Sequence, residues 1–151
     1  MPIVEFHLAD KAYEDHQLER LLIESSRLYA EVLACPIDRV RVFINLHPPG
    51  LAAVAGVRVS QSGARAPYFH FLVLQGRSLE ERHRLLSGFT DIVVRELNAD
   101  RDTVRGGCWP IAPENWAIGG VPASLRRAVE IESRASATAQ APADPSCAAR
   151  G

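Results

Sequence analysis

Cysteines are few in this sequence, and their spacing matches no structural framework. Cys35, Cys108 and Cys147 are an odd number without a CxxC pair, so we expect neither a set of disulfides nor a structural zinc site. Long apolar runs are missing too: no segment reaches the ~18 apolar residues of a membrane span, and the first residues lack the basic-then-apolar pattern of a signal peptide. These absences favour a cytoplasmic protein without a membrane partner.

A surplus of basic side chains is also absent. Lys and Arg total 17 against 18 Asp and Glu, so the formal net charge is −1. A nucleic-acid partner would need a basic face to neutralise its phosphates, so we do not expect one. The sequence contains no GxSxG, no phosphate loop, no dinucleotide fingerprint and no HExxH spacing among its five histidines. This argues against those enzyme classes and against a metal site.

The sequence does contain an internal repeat, in which the order strand, helix, strand occurs twice. Residues 3–8 alternate apolar and polar as a half-buried strand does, residues 18–33 carry a helical apolar stripe, and residues 39–46 alternate again. The same order returns as a strand from Pro67, a helix from about Leu79 to Leu97 and a strand around Thr103 to Trp109.

The two series are in register with each other. Leu21, Leu22, Leu28, Tyr29 and Leu33 align with Leu85, Leu86, Ile92, Val93 and Leu97 at an offset of 64 residues, and Val40-Arg41 aligns with Val104-Arg105 at the same offset. The constant offset indicates a duplication. The first strands are offset by 65 residues, so the second strand-to-helix loop has gained one residue. We predict a single domain over residues 1–132, with repeats at about 2–63 and 66–127.

Each repeat is a β-α-β unit, in which the crossover makes the two strands parallel. Two units predict an α+β fold: a four-stranded sheet with both helices on one face. The other face cannot all stay in water, so we expect a homotrimer whose sheets face a common centre. To that face we assign, in part, His7, Arg41, Phe69, Phe71 and Val73. Residues 133–151 are small and polar, with two prolines, and are predicted to be a disordered tail.

Pro2 is a candidate general base. If the initiator methionine is removed, its nitrogen becomes a secondary amine, and burial beside cations would lower the pKa of that amine towards neutrality. The alternative is that Pro2 only begins an edge strand, where a missing N–H does no harm.

Arg77 is a candidate for binding an anion. It lies on the tight loop before a helix whose first residues, Ser78 and Glu81, form a capping-box pattern. The guanidinium and the helix N-terminus both favour a carboxylate, although an arginine at a helix start is more often a solvated surface residue. The corresponding loop of the first repeat has Ala12 or Tyr13 and no arginine.

Three further positions stand out beside apolar neighbours. Arg41 and Arg105 lie inside strands, which leaves solvent exposure and pairing in an interface both open. Trp116 stands shortly before two consecutive glycines that indicate a turn, and it either lines a pocket or simply packs.

Together these residues resemble the tautomerase superfamily, in the 4-oxalocrotonate tautomerase branch with two short subunits fused into one chain. The stretches that carry the resemblance are PIVEFHL, ACPIDRVRVFI, GRSLEER and NWAIGGVPASLRR. The resemblance implies a tautomerase/MIF-like trimer and a cofactor-independent isomerase, in which Pro2 moves a proton between the oxygen and a carbon of a small carboxylate-bearing enol or dienol.

The resemblance also implies a role for each remaining candidate. Arg77 would act with Pro2 as a catalytic residue, and the substrate-binding residues would be Arg41, Arg105, Trp116 and Ile118, with Arg41 favoured over Arg105 for reaching a neighbouring subunit. Pro67 is locked in an internal peptide bond, so one site per chain is expected.

Relatives with other activities are similar to parts of the same sequence. A cis-3-chloroacrylic acid dehalogenase resembles the chain at GRS, but it has an arginine where Leu74 stands and a water-activating glutamate where Ile118 aligns. Tautomerisation is therefore the better interpretation. A decarboxylase similar to malonate semialdehyde decarboxylase, and a non-catalytic trimeric protein that kept the fold, remain as alternatives.

Overall fold

The structure is a computed structural model that describes residues 2–140. Its strands and helices, in chain order, are β1 (Ile3–Ala9), α1 (Asp15–Val32), β2 (Arg41–His47), β3 (Ala53–Val54), β4 (Val57–Arg58), α2 (Val59–Ser62), β5 (Tyr68–Leu74), α3 (Leu79–Leu97), β6 (Arg105–Ile111), β7 (Ala117–Ile118), β8 (Val121–Pro122), α4 (Ala123–Arg126) and α5 (Ala128–Gln140). The predicted bounds of the second long helix are confirmed, and so is its capping box.

The four long strands form one mixed sheet in the order β2-β1-β5-β6. β1 and β2 are parallel, with Ile3 opposite Arg41, as a β-α-β unit requires. β1 and β5 are antiparallel, with Ile3 opposite Leu72 and His7 opposite Tyr68. The first strands of the two repeats therefore lie side by side at the centre of the sheet.

The buried core lies between the sheet and the helices α1 and α3, which contact each other. Its largest side chains are aromatic and fully buried: Phe6, Tyr29, Phe69, Phe71 and Phe89. The assignment of Phe69, Phe71 and Val73 to the uncovered face was wrong, since their exposed fractions are 0%, 0% and 3%. Every second residue of β5 enters the core, and the intervening Tyr68, His70 and Leu72 face away from it.

The duplication predicted from the sequence is visible in the backbone hydrogen bonds. The amide of Arg41 donates to the Pro2 carbonyl and the amide of Arg105 donates to the Pro67 carbonyl, each at 3.0 Å. The short 3-10 turns Pro49–Leu51 and Pro113–Asn115 occupy matching places. The correspondence therefore extends beyond the helices into the loops that follow β2 and β6.

Each repeat carries a small hairpin after that 3-10 turn. β3 pairs with β4 through a turn at Ala55 and Gly56, and β7 pairs with β8 through a turn at Gly119 and Gly120. All four turn residues have positive φ angles, 52° and 78° in the first hairpin and 59° and 79° in the second, which is the geometry of a type I′ turn. The turn expected from the paired glycines is confirmed.

The chain divides into two compact units, Met1–Pro110 and Ile111–Gly151. The second unit contains β7, β8, α4 and α5. Residues 133–140, the first part of the predicted tail, continue the helix α5, where alanine provides high helix propensity. The remaining part of the predicted tail, together with Cys147, lies outside the described residues. None of the described helices is long and apolar enough to cross a membrane.

Candidate active site

Pro2 lies at the start of the central strand β1, in a buried position. Its carbonyl accepts a hydrogen bond from the Arg41 amide, which fixes the first residue of the strand beside β2. Met1 lies outside the described residues, so its removal stays a prediction.

The antiparallel register brings the start of β1 to the end of β5. Because Ile3 is opposite Leu72, Pro2 falls beside the last residues of β5, immediately before the loop that carries Gly76 and Arg77. Gly76 has a φ of 95°, a left-handed conformation that favours glycine and turns the chain into α3. The sheet thus places the proline of the first repeat next to the loop of the second.

Tyr29 connects this end of the sheet to Arg77. Its hydroxyl donates to the Leu72 carbonyl at 2.6 Å and lies 3.3 Å from the Ile3 carbonyl. Burial raises the pKa of the Tyr29 hydroxyl well above its usual value, and the nearby Arg77 guanidinium acts in the opposite direction. Tyr29 is therefore a protonated donor that holds β1 and β5 together close to the guanidinium.

Arg77 itself is nearly buried, with 11% of its side chain exposed. Its Nη1 donates to the Leu33 carbonyl at 3.0 Å and to Glu81 Oε1 at 2.8 Å. Leu33 is the C-cap of α1, a helix with no basic residue in its last turn. The Arg77 cation therefore stabilises the negative end of the α1 dipole as well as the start of α3.

Glu81 holds the guanidinium in place. Burial raises the pKa of the Glu81 carboxyl, but hydrogen bonds from the Ser78 amide and from Arg77 outweigh it, so the pKa lies below its ordinary value. Glu81 is consequently ionised at neutral pH and forms both an ion pair and a capping box with Ser78.

The equivalent corner of the first repeat lacks this cation. Lys11, with a φ of 60°, takes the place of Gly76, so Ala12 takes the place of Arg77. Arg65 lies over the ring of Tyr13, with its Cζ 5.6 Å from the ring centroid. The two repeats share a backbone but differ in the groups that a substrate would meet.

The strand arginines are placed identically at the two edges of the sheet. Arg41 Nη1 donates to the carbonyls of Asp38 and Val40, and Arg105 Nη1 donates to those of Asp102 and Val104. Both side chains are exposed. The preference for Arg41 over Arg105 stays a prediction.

Trp116 and Ile118 belong to the second unit and are half-buried. The Trp116 carbonyl accepts a hydrogen bond from the Ala123 amide at 2.7 Å. Its indole Nε1 is buried and has no hydrogen-bond partner among the described residues. The first repeat has Ala52 at this place, whose carbonyl accepts from Val59 in the same way. Their part in a site with Pro2 stays a prediction.

One group of side chains was missed by the sequence analysis. Glu5, His7 and His70 lie together on the uncovered face of the sheet, each with a ligand atom within 4.8 Å of the others. Their separation along the chain gives no motif, and only the pairing of β1 with β5 brings them together.

Comparisons with known proteins agree with this architecture. Residues 67–126, the second repeat, match the family model described as Tautomerase enzyme. The probable tautomerase RSp0893 of Ralstonia nicotianae is 28% identical over 69 residues, which is 46% of this chain and 99% of that protein. That relative is about one repeat in length. The second repeat is therefore similar to the tautomerase family.

Solved structures of low sequence identity share the fold of this chain over most of its length. The structure of Pt0534 inactivated by 2-oxo-3-pentynoate has a TM-score of 0.75 at 20% identity and covers 82% of this chain and 98% of that chain. The F6 fused 4-OT, described as a wild-type asymmetric trimer, has a TM-score of 0.75 at 16% identity, with 82% and 98% covered.

Proposed function

We propose that this protein belongs to the tautomerase superfamily and that, once Met1 is removed, it is a cofactor-independent keto-enol tautomerase. It moves a proton between the enol oxygen and a carbon of a small carboxylate-bearing enol or dienol, with Pro2 as the general base. The observation that carries the proposal is the antiparallel pairing of β1 with β5, which brings Pro2 to the loop of Arg77. The match of the second repeat to the Tautomerase enzyme family supports the reaction type.

The chemistry requires a base that is neutral near physiological pH. A secondary amine in a buried position loses hydration of its charged form, so burial favours the neutral amine, which is the form that acts as a general base. Pro67 has the same place in its repeat, but its nitrogen is an amide and carries no basic lone pair.

Arg77 is proposed to bind and polarise the substrate carboxylate. Only Nη1 of its guanidinium donates hydrogen bonds within the described residues. The donors on Nε and Nη2 suit the planar, bidentate geometry of a carboxylate. The contacts of Nη1 hold the group rigidly, so little side-chain entropy is lost when substrate binds.

The inactivator bound to Pt0534 is a 2-oxo acid, which supports small oxo or enol acids as the substrate class. Hydration, the reaction of a dehalogenase, needs a second base to activate water. By the resemblance to the dehalogenase, the apolar Ile118 aligns with that base, which supports tautomerisation as the proposed reaction.

Exposed apolar side chains on both edge strands of the sheet support the proposed homotrimer. β2 and β6 are both edge strands, and both carry exposed apolar side chains, Phe43 at 49% and Trp109 at 52%. Two different edges that pair head to tail generate a ring when the rotation between the chains closes. Such a ring would place Arg41 or Arg105 at a neighbouring chain, where a substrate-binding role becomes accessible.

The experiment that tests the function compares Pro2→Ala with Pro67→Ala. Intact mass should first show that the wild-type chain has lost methionine. Ketonisation of phenylenolpyruvate or 2-hydroxymuconate, followed by ultraviolet absorbance, should fall by about 10²-fold in Pro2→Ala, the typical contribution of a general base.

Pro67→Ala is the matched control, because Pro67 has the same backbone role without a free amine. It should keep most of the activity. Equal loss in both variants, or full activity in Pro2→Ala, would rule out the proline mechanism. A correctly processed wild-type chain without activity would favour the non-catalytic alternative.

A further inference from the structure

The uncovered face of the sheet carries a continuous row of aromatic rings. The row crosses all four strands and consists of His47, His7, Tyr68, His70 and Trp109. Neighbouring centroids are separated by 4.4 to 5.8 Å. Three of these rings are imidazoles. Each imidazole has two polar nitrogens that need hydrogen-bond partners.

Two of these nitrogens are buried without a partner. His7 Nδ1 lies 2.8 Å from His47 Nε2 in a hydrogen bond, but His7 Nε2 has no partner among the described residues, and neither has His70 Nδ1. A buried polar atom left unsatisfied costs free energy. When His7 donates from Nδ1, its Nε2 carries a lone pair that is available to a ligand.

Glu5 completes the group from the neighbouring position. It is directly opposite His70 in the β1–β5 register and two residues from His7 on the same face of β1. Glu5 Oε2 accepts a hydrogen bond from Asn45 at 2.9 Å, while Oε1 lies 3.9 Å from His70 Nε2. One carboxylate oxygen is thus oriented by a partner and the other faces the imidazole.

We propose that Glu5, His7 and His70 form a binding site for a divalent transition-metal ion of the zinc class. Two imidazoles and one carboxylate are a common zinc ligand set, with bonds of about 2.0–2.2 Å and a fourth position open to water. The ligand atoms lie within 4.8 Å of one another, so small side-chain rotations bring them into coordination. His47 and Asn45 would orient two of the ligands through their second atoms.

The ion would cross-link the first strands of the two repeats. Glu5 and His7 come from β1 and His70 comes from β5, so the metal joins the halves of the duplicated chain at the centre of the sheet. The site lies on the face opposite the core and Tyr29, and it is therefore separate from the proposed catalytic centre and does not depend on it.

The test measures zinc binding to the full chain after treatment with a chelator. Competition with a chromophoric chelator should give one Zn²⁺ per wild-type chain, and Co²⁺ should give the visible absorption of a four- or five-coordinate site. Glu5→Gln and His70→Gln should each weaken binding by at least about tenfold, and His47→Gln by about tenfold through the loss of orientation.

His83→Gln is the matched control, because His83 is exposed on α3 and belongs to no cluster described here. It should bind zinc as the wild type does. Size-exclusion chromatography of each variant shows whether the assembly is intact. Glu5→Gln keeps the shape of the side chain, so it tests the ligand set even where a histidine variant fails to fold. The proposal is overturned if the wild-type chain binds no zinc, or if Glu5→Gln binds it as tightly as His83→Gln does.

Discussion

At the scale of single residues, two consecutive glycines of β6 have different surroundings. A Cβ added at Gly106 would overlap the ring of Phe69, a fully buried core residue. A Cβ added at Gly107 would meet only Trp109 Nε1, at an ordinary 3.5 Å. Of these two positions, only 106 requires glycine, because β6 lies close to the ring of Phe69 there.

We predict that Gly106→Ala destabilises the fold by about 1–3 kcal/mol, the usual cost of overfilling a well-packed core. Gly107→Ala should change stability by less than about 0.5 kcal/mol. Urea unfolding followed by circular dichroism measures both. Equal stability of the two variants would contradict the close contact with Phe69.

Arg77 has two roles that mutation can separate. Its Nη1 stabilises the end of α1 and pairs with Glu81, while the proposed function assigns its other donors to substrate. Any variant at this residue changes both stability and kinetics, so a second variant has to disturb the ion pair alone.

We predict that Arg77→Ala raises KM and lowers kcat, because the contact with the carboxylate strengthens as charge develops in the transition state. Glu81→Gln removes the ion pair but keeps the guanidinium and its contact with Leu33, so it should lower the thermal unfolding temperature and raise KM less than Arg77→Ala does. Steady-state kinetics and thermal denaturation of both variants check this. An unchanged KM in Arg77→Ala would show that the arginine is purely structural.

At the scale of elements, the two hairpins are the same turn built from different residues. Ala55 holds a φ of 52° where the second repeat has Gly119 at 59°. A left-handed conformation costs a residue with a Cβ about 1–2 kcal/mol, whereas glycine adds a smaller cost in unfolded-chain entropy.

Ala55→Gly should therefore stabilise the protein by about 0.5–1 kcal/mol, and Gly119→Ala should destabilise it by a similar amount. Differential scanning calorimetry should show the first variant unfolding about 1–3 °C above the wild type. A lower unfolding temperature for Ala55→Gly would mean that Ala55 makes contacts that outweigh the strain.

The helices and strands could be predicted from local sequence patterns. Which side of each strand faces the core could not. The capping box at Ser78 and the apolar stripe of α3 are encoded within a few residues of each other. In β5 nearly every residue is apolar or aromatic, so a period of two does not show which set enters the core, and Phe69 was placed wrongly. The contacts of Glu5 with His70, and of Arg77 with Leu33, depend on strand and helix pairing over more than forty residues, which no local pattern contains.

At the scale of the whole molecule, the proposed trimer accounts for apolar side chains that the chain leaves in water. Phe43 and Leu46 on the edge strand β2 are 49% and 44% exposed. A ring of three chains would cover both edges of every sheet, and a charge at one edge should prevent its closure.

We predict that Phe43→Glu sediments at the mass of one chain under conditions in which the wild type sediments as a trimer. Leu79→Glu is the control, since Leu79 is 57% exposed and lies on α3, away from the edges. It should remain trimeric. A wild-type chain that sediments alone, or a trimeric Phe43→Glu, would show that β2 is not the interface.

The stacking of Trp109 on His70, with ring centroids 4.4 Å apart, gives the protein a built-in optical reporter. Indole emission is quenched by a charged imidazole in contact with it, so protonation or ligation of His70 should alter the fluorescence of Trp109. Trp116 is the second of the two tryptophans, and replacing it with phenylalanine would leave a chain whose emission follows the uncovered face alone.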